Sequence, residues 1–245
     1  MKLAPFETFR KTTNNLYLLT DGGSKYMVKS YYGSGGFARY QQEKFMLNHW
    51  KQAGLLVPEI YDKQIPDMAE PYLVTGFIEG PSLREYLSLE SSGMPEKLSI
   101  LAKLFEQLRQ RHDAAIGSND PYLIHYDPSS GNIICTENGF YFIDFESPPR
   151  SRQTIPESAS IELATLCRWI VRDLGLKFLE EALKQMAAAY RGQEALLNLA
   201  VERTAGRPFQ FYHRWKNKRH KTLYSNDVTK YDIADGLKHI IDLNT

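Results

Sequence analysis

Apolar and polar positions alternate in the first third of the chain and then switch to helical spacing. NLYLLT and KYMVKSY place Leu16, Leu18, Tyr26 and Val28 in two short runs around Asp21-Gly22-Gly23-Ser24. Asp and Gly tolerate the positive φ of tight hairpin turns, so the pattern predicts two antiparallel strands. A weaker strand is expected in LAPFETF. From Ala38 to Ala53 the period lengthens, with Tyr40, Phe45, Leu47 and Trp50 mostly on one side and Gly54 as a stop. PYLVTGFIEG then predicts a strand over Tyr72–Phe77, ended by Gly80-Pro81.

Beyond that break the pattern is helical. Pro95 suits a first helical turn, and Leu98, Leu101, Leu104, Phe105 and Leu108 follow at helical spacing. Three further series do the same: Leu163 to Leu174, Leu176 to Met186, and Ile233 to Ile241. Between the first two helices lie two short β runs, Asn132–Cys135 and Phe140–Ile143, around Glu137-Asn138-Gly139. The expected organisation is a strand-rich N-terminal lobe over residues 1–78 and a helical C-terminal lobe over 79–245, joined near residues 76–82.

Composition narrows the class. At 245 residues with 42% hydrophobic and 24% charged positions, the chain can bury a core and is not of disordered type. Thirty basic against 29 acidic residues give a net charge of +1, so any charged partner must be met by a local patch. Two cysteines, Cys135 and Cys167, cannot build a disulfide framework or a four-thiolate metal site. No apolar run approaches the ~20 residues of a membrane span, and MKLAPFETFRKT has no secretory h-region. A cytoplasmic protein is expected.

The segment HYDPSSGNIICTENGFYFIDFE, His125 to Glu146, carries the chemistry. It sets Asp127, Asn132 and Asp144 in an order with a physical reading. A loop carboxylate can face a hydroxyl nucleophile, while an Asn and a second Asp offer hard oxygens to one divalent ion. Asp-Asn-Asp in this order matches the kinase set of catalytic-loop Asp, downstream Asn and metal-binding Asp. Ordinary turn chemistry, in which Asp and Asn are favoured, is the competing explanation for the three residues taken singly.

This segment resembles the catalytic and metal-binding loops of the aminoglycoside phosphotransferase and choline kinase superfamily, H-x-D-x-x-x-x-N followed by I-D-[FW]-E. Glu146 stands where protein kinases have Gly, as in the small-molecule branch. KTTNNLYLL (Lys11 to Leu19), QRH at 110–112 and IELATL (Ile161 to Leu166) resemble further family segments. The resemblance implies an α+β, two-lobed protein-kinase-like fold with an antiparallel-sheet N-lobe and a mainly helical C-lobe.

It also implies roles. Lys29 would meet the α/β-phosphates of ATP and Glu43 would hold Lys29. Asp127 would act as base toward the acceptor, and Asn132 and Asp144 would bind Mg²⁺. The phosphate loop lacks the kinase glycines; Thr12, Thr13, Asn14 and Asn15 stand in for them, making Thr13 and Asn14 nucleotide candidates. TGFIEG, with Thr75 and Phe77, would be the hinge that meets adenine. His125 would brace the catalytic loop, and His112 is expected to pack or cap at a helix end. Position 162 is Glu where the family usually has Asp, so no catalytic role follows for it. Gly33-Ser34-Gly35-Gly36 is read as a flexible link into the first helix.

One block falls outside this match. Arg203 to Lys221 holds seven Lys/Arg and no acid, with Phe209, Phe211, Tyr212 and Trp215 interleaved. The plain reading is a solvated basic helix face; the sharper one is an anionic acceptor, such as a phosphorylated sugar or lipid-linked glycan. The expected partners are therefore ATP and a small-molecule acceptor, with nucleic acid not expected. A lipopolysaccharide-sugar kinase, an atypical protein kinase and a kinase-like binding module are the alternatives.

Overall fold

Alternation in the N-terminal third does produce antiparallel pairing. The computed structural model describes residues 1–6, 14–68, 71–205, 215 and 228–244. Strands β1 (Lys2–Pro5), β2 (Asn15–Asp21), β3 (Ser24–Ser30) and β4 (Tyr72–Gly76) form a sheet in the order β1-β2-β3-β4, every pair antiparallel. Gly22 and Gly23 both take positive φ, 58° and 81°, in the β2–β3 turn.

Register assigns the two faces of this sheet. Leu19, Val28 and Val74 lie on one side and pack with Ile65 as a buried cluster. Lys29 pairs with Leu73 and Met27 with Thr75, so Lys29 and Thr75 share the opposite face. A single residue step along β3, from Val28 to Lys29, thus separates the core from the candidate lysine.

Helix α1 (Gly36–Gln52) follows the Gly33–Gly36 turn and stops before Gly54, whose φ is 75°. Its buried stripe is Glu43, Met46, Leu47 and Trp50, an i, i+3, i+4, i+7 series that includes a carboxylate. Phe45, expected on the inner side, is exposed instead, because Met46 and Leu47 occupy the buried sector one and two positions further on.

Two compact units make up the chain: residues 1–80 with 134–148, and residues 81–133 with 149–245. In the first, the hairpin of β5 (Ile133–Thr136) and β6 (Gly139–Phe142) carries the chain to Asp144. Gly80 approaches this hairpin so closely that a Cβ on it would lie 2.2 Å from the Cys135 carbonyl oxygen. Its φ of 154° is also one that side chains avoid. Gly80→Ala is expected to destabilise the first unit by about 1–3 kcal/mol, because the obstacle is backbone and cannot rotate away. Denaturant unfolding followed by tryptophan fluorescence (Trp50 lies in this unit) checks it; an unchanged midpoint would refute the close approach.

The second unit is helical: α2 (Leu83–Ser88), α3 (Met94–Ser118), α4 (Ile155–Leu174), α5 (Leu179–Ala189), α6 (Glu194–Ala205) and α7 (Lys230–Asn244). Capping boxes fix two starts, Ser82 with Glu85 for α2 and Thr154 with Glu157 for α4. Helix α3 does not end at the Gln110-Arg111-His112 stretch. It runs to Ser118 and closes on Asn119, which is left-handed at φ 54°. His112 is therefore a buried mid-helix residue and caps nothing. Helices α2 and α6 carry no signal that the periodicity series had singled out. An antiparallel sheet followed by a mainly helical unit is the α+β order of the protein-kinase-like fold. No described helix is long and apolar enough to cross a membrane.

Candidate active site

Lys29 is the hub of the first unit. Its Nζ lies 2.7 Å from Glu43, 2.5 Å from Asp144 and 2.6 Å from Glu146. Strand β3 supplies the lysine, the buried stripe of α1 supplies Glu43, and the loop after β6 supplies the other two carboxylates. Tyr31 donates to the same Glu43 oxygen at 2.7 Å and helps to fix it. Burial alone would lower the Lys29 pKa, but Glu43, Asp144 and Glu146 together outweigh it and raise it, so the ammonium stays charged. Burial pushes the Glu43 carboxyl up, with Lys29 pulling against it.

The chain Asp144-Phe145-Glu146 explains how two acids reach one lysine. Residues 144 and 146 turn to the same side, while Phe145 is 2% exposed and meets the Trp50 ring edge-on at 4.6 Å. Phe142 packs on the other part of Trp50, and its N–H donates to Leu56 at 3.3 Å. Helix α1 thus holds both Glu43 and, through Trp50, the loop bearing Asp144. Asp144 itself sits at φ 67°, a left-handed conformation that Asp tolerates better than most residues and that functional loops often retain.

Glu146 has a second set of partners that sequence reasoning missed. Arg39 lies 3.0 Å from its Oε2, and the buried Asn14 donates its side-chain N–H to Oε1, the oxygen that also faces Lys29. Arg39 also donates to Asn14 at 3.2 Å, closing a ring of three side chains. Asn14, expected beside phosphate, thus turns inward to brace Glu146. Thr13 lies outside the described residues. Thr75 lies on the lysine face of β4, while the Phe77 N–H donates to the Lys25 carbonyl at 3.2 Å and its ring meets Phe6 edge-on.

The donor atoms of Glu43, Asp144 and Glu146 lie within 4.8 Å of one another. All are hard carboxylate oxygens, which is the donor chemistry that Mg²⁺ takes. In the second unit, Asn132 donates its side-chain N–H to the Asp127 carbonyl at 3.1 Å, leaving Oδ1 as the other polar atom of its amide. Asn132 therefore also fits an oxygen-ligand role.

Asp127 keeps an exposed carboxylate on a tightly held backbone. Its N–H donates to His125 Nδ1 at 3.3 Å, so His125 braces this loop in the structure. The His125 N–H donates in turn to Glu162 of α4 at 3.2 Å. Glu162 also meets the Arg111 guanidinium and, at 3.0 Å, His112 Nε2. His112 Nδ1 lies 2.8 Å from the Tyr190 hydroxyl. Burial lowers the His112 pKa and keeps the ring neutral; Nε2 then carries the proton facing Glu162, and Nδ1 accepts from Tyr190. Burial alone would raise the Glu162 pKa, but Arg111 and the His112 hydrogen bond reverse this and hold it at about 2.

A second anchor was also missed. Ser130, fully buried, donates to Asp173 of α4, and Arg84 of α2 lies 3.7 Å from the same carboxylate. The Arg84 guanidinium packs so near Gly131 that a Cβ there would lie 3.2 Å from it. Cys135 and Cys167 are core residues, their thiols pushed up to about 12 by burial, and take no part. Of the basic block, only Arg203 to Ala205 and Trp215 lie among the described residues.

A strand lysine held by a helix glutamate, with an Asp-bearing loop after a short hairpin, is an arrangement of the protein-kinase-like kind. No protein-family model matches the chain. Over 104 residues it is 31% identical to the KEOPS complex subunit Bud32 of Pyrococcus abyssi, a match covering 42% of this chain and 42% of that protein. The match thus spans less than half the length of the curated relative. Among solved structures the chain is similar to WaaP in complex with acyl carrier protein. The identity is 16%, with 90% of this chain and 88% of that chain covered and a TM-score of 0.49.

Proposed function

We propose that this chain is an Mg-ATP-dependent phosphotransferase acting on a hydroxyl of a small molecule, in the manner of aminoglycoside phosphotransferases and choline kinases. The observation that carries this reading is the Lys29–Glu43 pair at 2.7 Å with Asp144 at 2.5 Å from the same ammonium. A charged lysine so held is positioned to neutralise phosphate oxygens, and its value lies in alignment, since a desolvated ion pair adds little stability.

In this proposal Lys29 contacts the α/β-phosphates, and Asp144 and Asn132 are the Mg²⁺ ligands. Asp127 orients the acceptor hydroxyl and receives its proton, and Thr75, Phe77 and Thr13 belong to the nucleotide side, with Asn14 acting through Glu146. Mg-ATP supplies the transferable γ-phosphoryl group and neutralises charge on it; the protein contributes positioning and electrostatics. Likeness to Bud32, a kinase-like relative, supports phosphoryl transfer as the chemistry and favours a second reading, an atypical protein kinase. A lipopolysaccharide-sugar kinase and a kinase-like binding module are separate alternatives.

An ATP-consumption screen across amino alcohols, aminoglycosides, sugars, phosphosugars and a generic protein acceptor tests the reading, with Asp127→Asn protein as blank. Mg-dependent ADP release with a small-molecule alcohol, absent from the blank, is the expected result. Release only with the protein acceptor would favour the second reading. Failure to bind Mg-ATP at all would end both.

A further inference from the structure

Helix α1 brings two side chains to the lysine cluster. Arg39 and Glu43 stand four positions apart and so share a helix face. Glu43 meets Lys29, whereas Arg39 reaches Glu146, 3.0 Å from its Oε2, while Lys29 lies 2.6 Å from Oε1. One carboxylate is thus divided between two cations, one from β3 and one from α1. The Arg39 guanidinium is itself held in place. Its Nη2 donates to the Tyr32 carbonyl at 2.7 Å and to Asn14 Oδ1 at 3.2 Å. A Cβ on Gly35 would lie 3.1 Å from Nη1, so the turn into α1 also leaves the guanidinium its space.

Donor counting at Lys29 gives this division a use. An ammonium has three donors, and three carboxylate oxygens lie within 2.7 Å of Nζ. Contact with both the α- and the β-phosphate, the role proposed for Lys29, requires two of those donors to be released. Glu43 is buried and also held by Tyr31, so it keeps its donor. Asp144, as a proposed Mg²⁺ ligand, accounts for one release. Glu146 accounts for the other, because Arg39 already stands at its second oxygen and keeps its charge paired. The Arg39 Nε–H is buried and makes no hydrogen bond among the described residues, since its 3.0 Å approach to Glu146 is not aligned for one. Turning Glu146 onto that N–H forms a charge-assisted hydrogen bond in exchange for the one given up at Lys29.

We infer that Arg39 is a positioning residue for nucleotide binding, which takes over Glu146 as Lys29 turns to phosphate. The inference rests on the nucleotide reading of Lys29 and adds to it a residue that acts only through Glu146. Calorimetric titration of the full chain with Mg-ADP tests it, since this nucleotide carries the α- and β-phosphates and permits no turnover.

Arg39→Gln leaves the whole Glu146 charge on Lys29 and is expected to weaken Mg-ADP binding about tenfold, the worth of one charge-assisted hydrogen bond. Arg39→Lys keeps a cation beside Glu146 and should stay within about threefold of wild type. Glu146→Gln removes the competitor for Lys29 and should bind at least as tightly as wild type. The double variant Arg39→Gln/Glu146→Gln should recover the affinity that Arg39→Gln loses, which a purely structural role for Arg39 would not allow. Circular dichroism of each variant identifies misfolding; if Arg39→Gln misfolds, Glu146→Gln alone decides. Wild-type affinity in a folded Arg39→Gln protein overturns the inference. So does a double variant as weak as Arg39→Gln, an Arg39→Lys protein equally weak, or weaker binding by Glu146→Gln. Each of these leaves the nucleotide reading standing, because wild type still binds. A wild-type chain that ignores Mg-ADP overturns that reading and this inference together.

Discussion

Asp127→Asn is expected to leave Mg-ATP binding nearly unchanged while lowering turnover by about 10²–10⁴-fold, the range typical of losing a positioned general base. The structural grounds are local. The Asp127 backbone is held through its N–H by His125 and through its carbonyl by Asn132, and its carboxylate is exposed. An Asn side chain has nearly the same shape, so those backbone contacts should survive and only the proton acceptor is lost. Nucleotide titration by calorimetry, beside steady-state ADP release, separates the two effects. A parallel fall in binding and turnover would show that Asp127 acts on the nucleotide or on folding.

Glu162→Gln should give the largest stability loss, about 3–5 kcal/mol in the unfolding of the helical unit, since it strands a buried guanidinium. Glu162 and Arg111 are 2% and 3% exposed and His112 is fully buried, so water cannot replace the missing charge. The sign with pH follows from the carboxyl values. Glu162 titrates at about 2 in the folded protein against an ordinary 4.5, so the unfolded chain takes up the proton first. Its contribution is complete above about pH 4.5 and disappears as pH falls toward 2. His112 acts in the same direction from a higher starting point. Its folded value lies below the ordinary 6.5, so acid favours the unfolded chain from there downward. Denaturant midpoints at pH 7, 5, 4 and 3 should therefore show wild type and Glu162→Gln converging as pH falls. A gap that stays constant down to pH 3 would mean that the charge of Glu162 is not what stabilises the unit.

Much of the fold was legible because it rests on local rules. Alternation predicted β2, β3 and β4, and Asp21-Gly22-Gly23-Ser24 predicted their hairpin. Leucine periodicity found α3, α4, α5 and α7. Glu43 was named from the family resemblance as the partner of Lys29, and only the structure puts it in the buried stripe of α1 with Met46, Leu47 and Trp50. The length of α3 was misjudged at His112, because the stopping signal is Asn119 in a left-handed cap and not the histidine.

The bracing residues were out of reach for a different reason. Asn14 meets Glu146 across 132 positions, Arg111 meets Glu162 across 51, and Ser130 meets Asp173 across 43. No spacing rule links such pairs; each exists only because two elements have packed.

The sequence by itself determined which side chains are available for chemistry, and in what order: Lys29, Glu43, Asp127, Asn132 and Asp144, on strand, helix and loops whose local patterns set their form. Tertiary structure alone decided which of them meet. It drew residues 134–148 back to the first unit, so that Asp144 and Glu146 share Lys29 with Glu43. It also buried Glu162 among Arg111, His112 and His125. Periodicity fixes which face a residue takes on its own element, whereas charge pairing depends on a partner that packing brings from far along the chain.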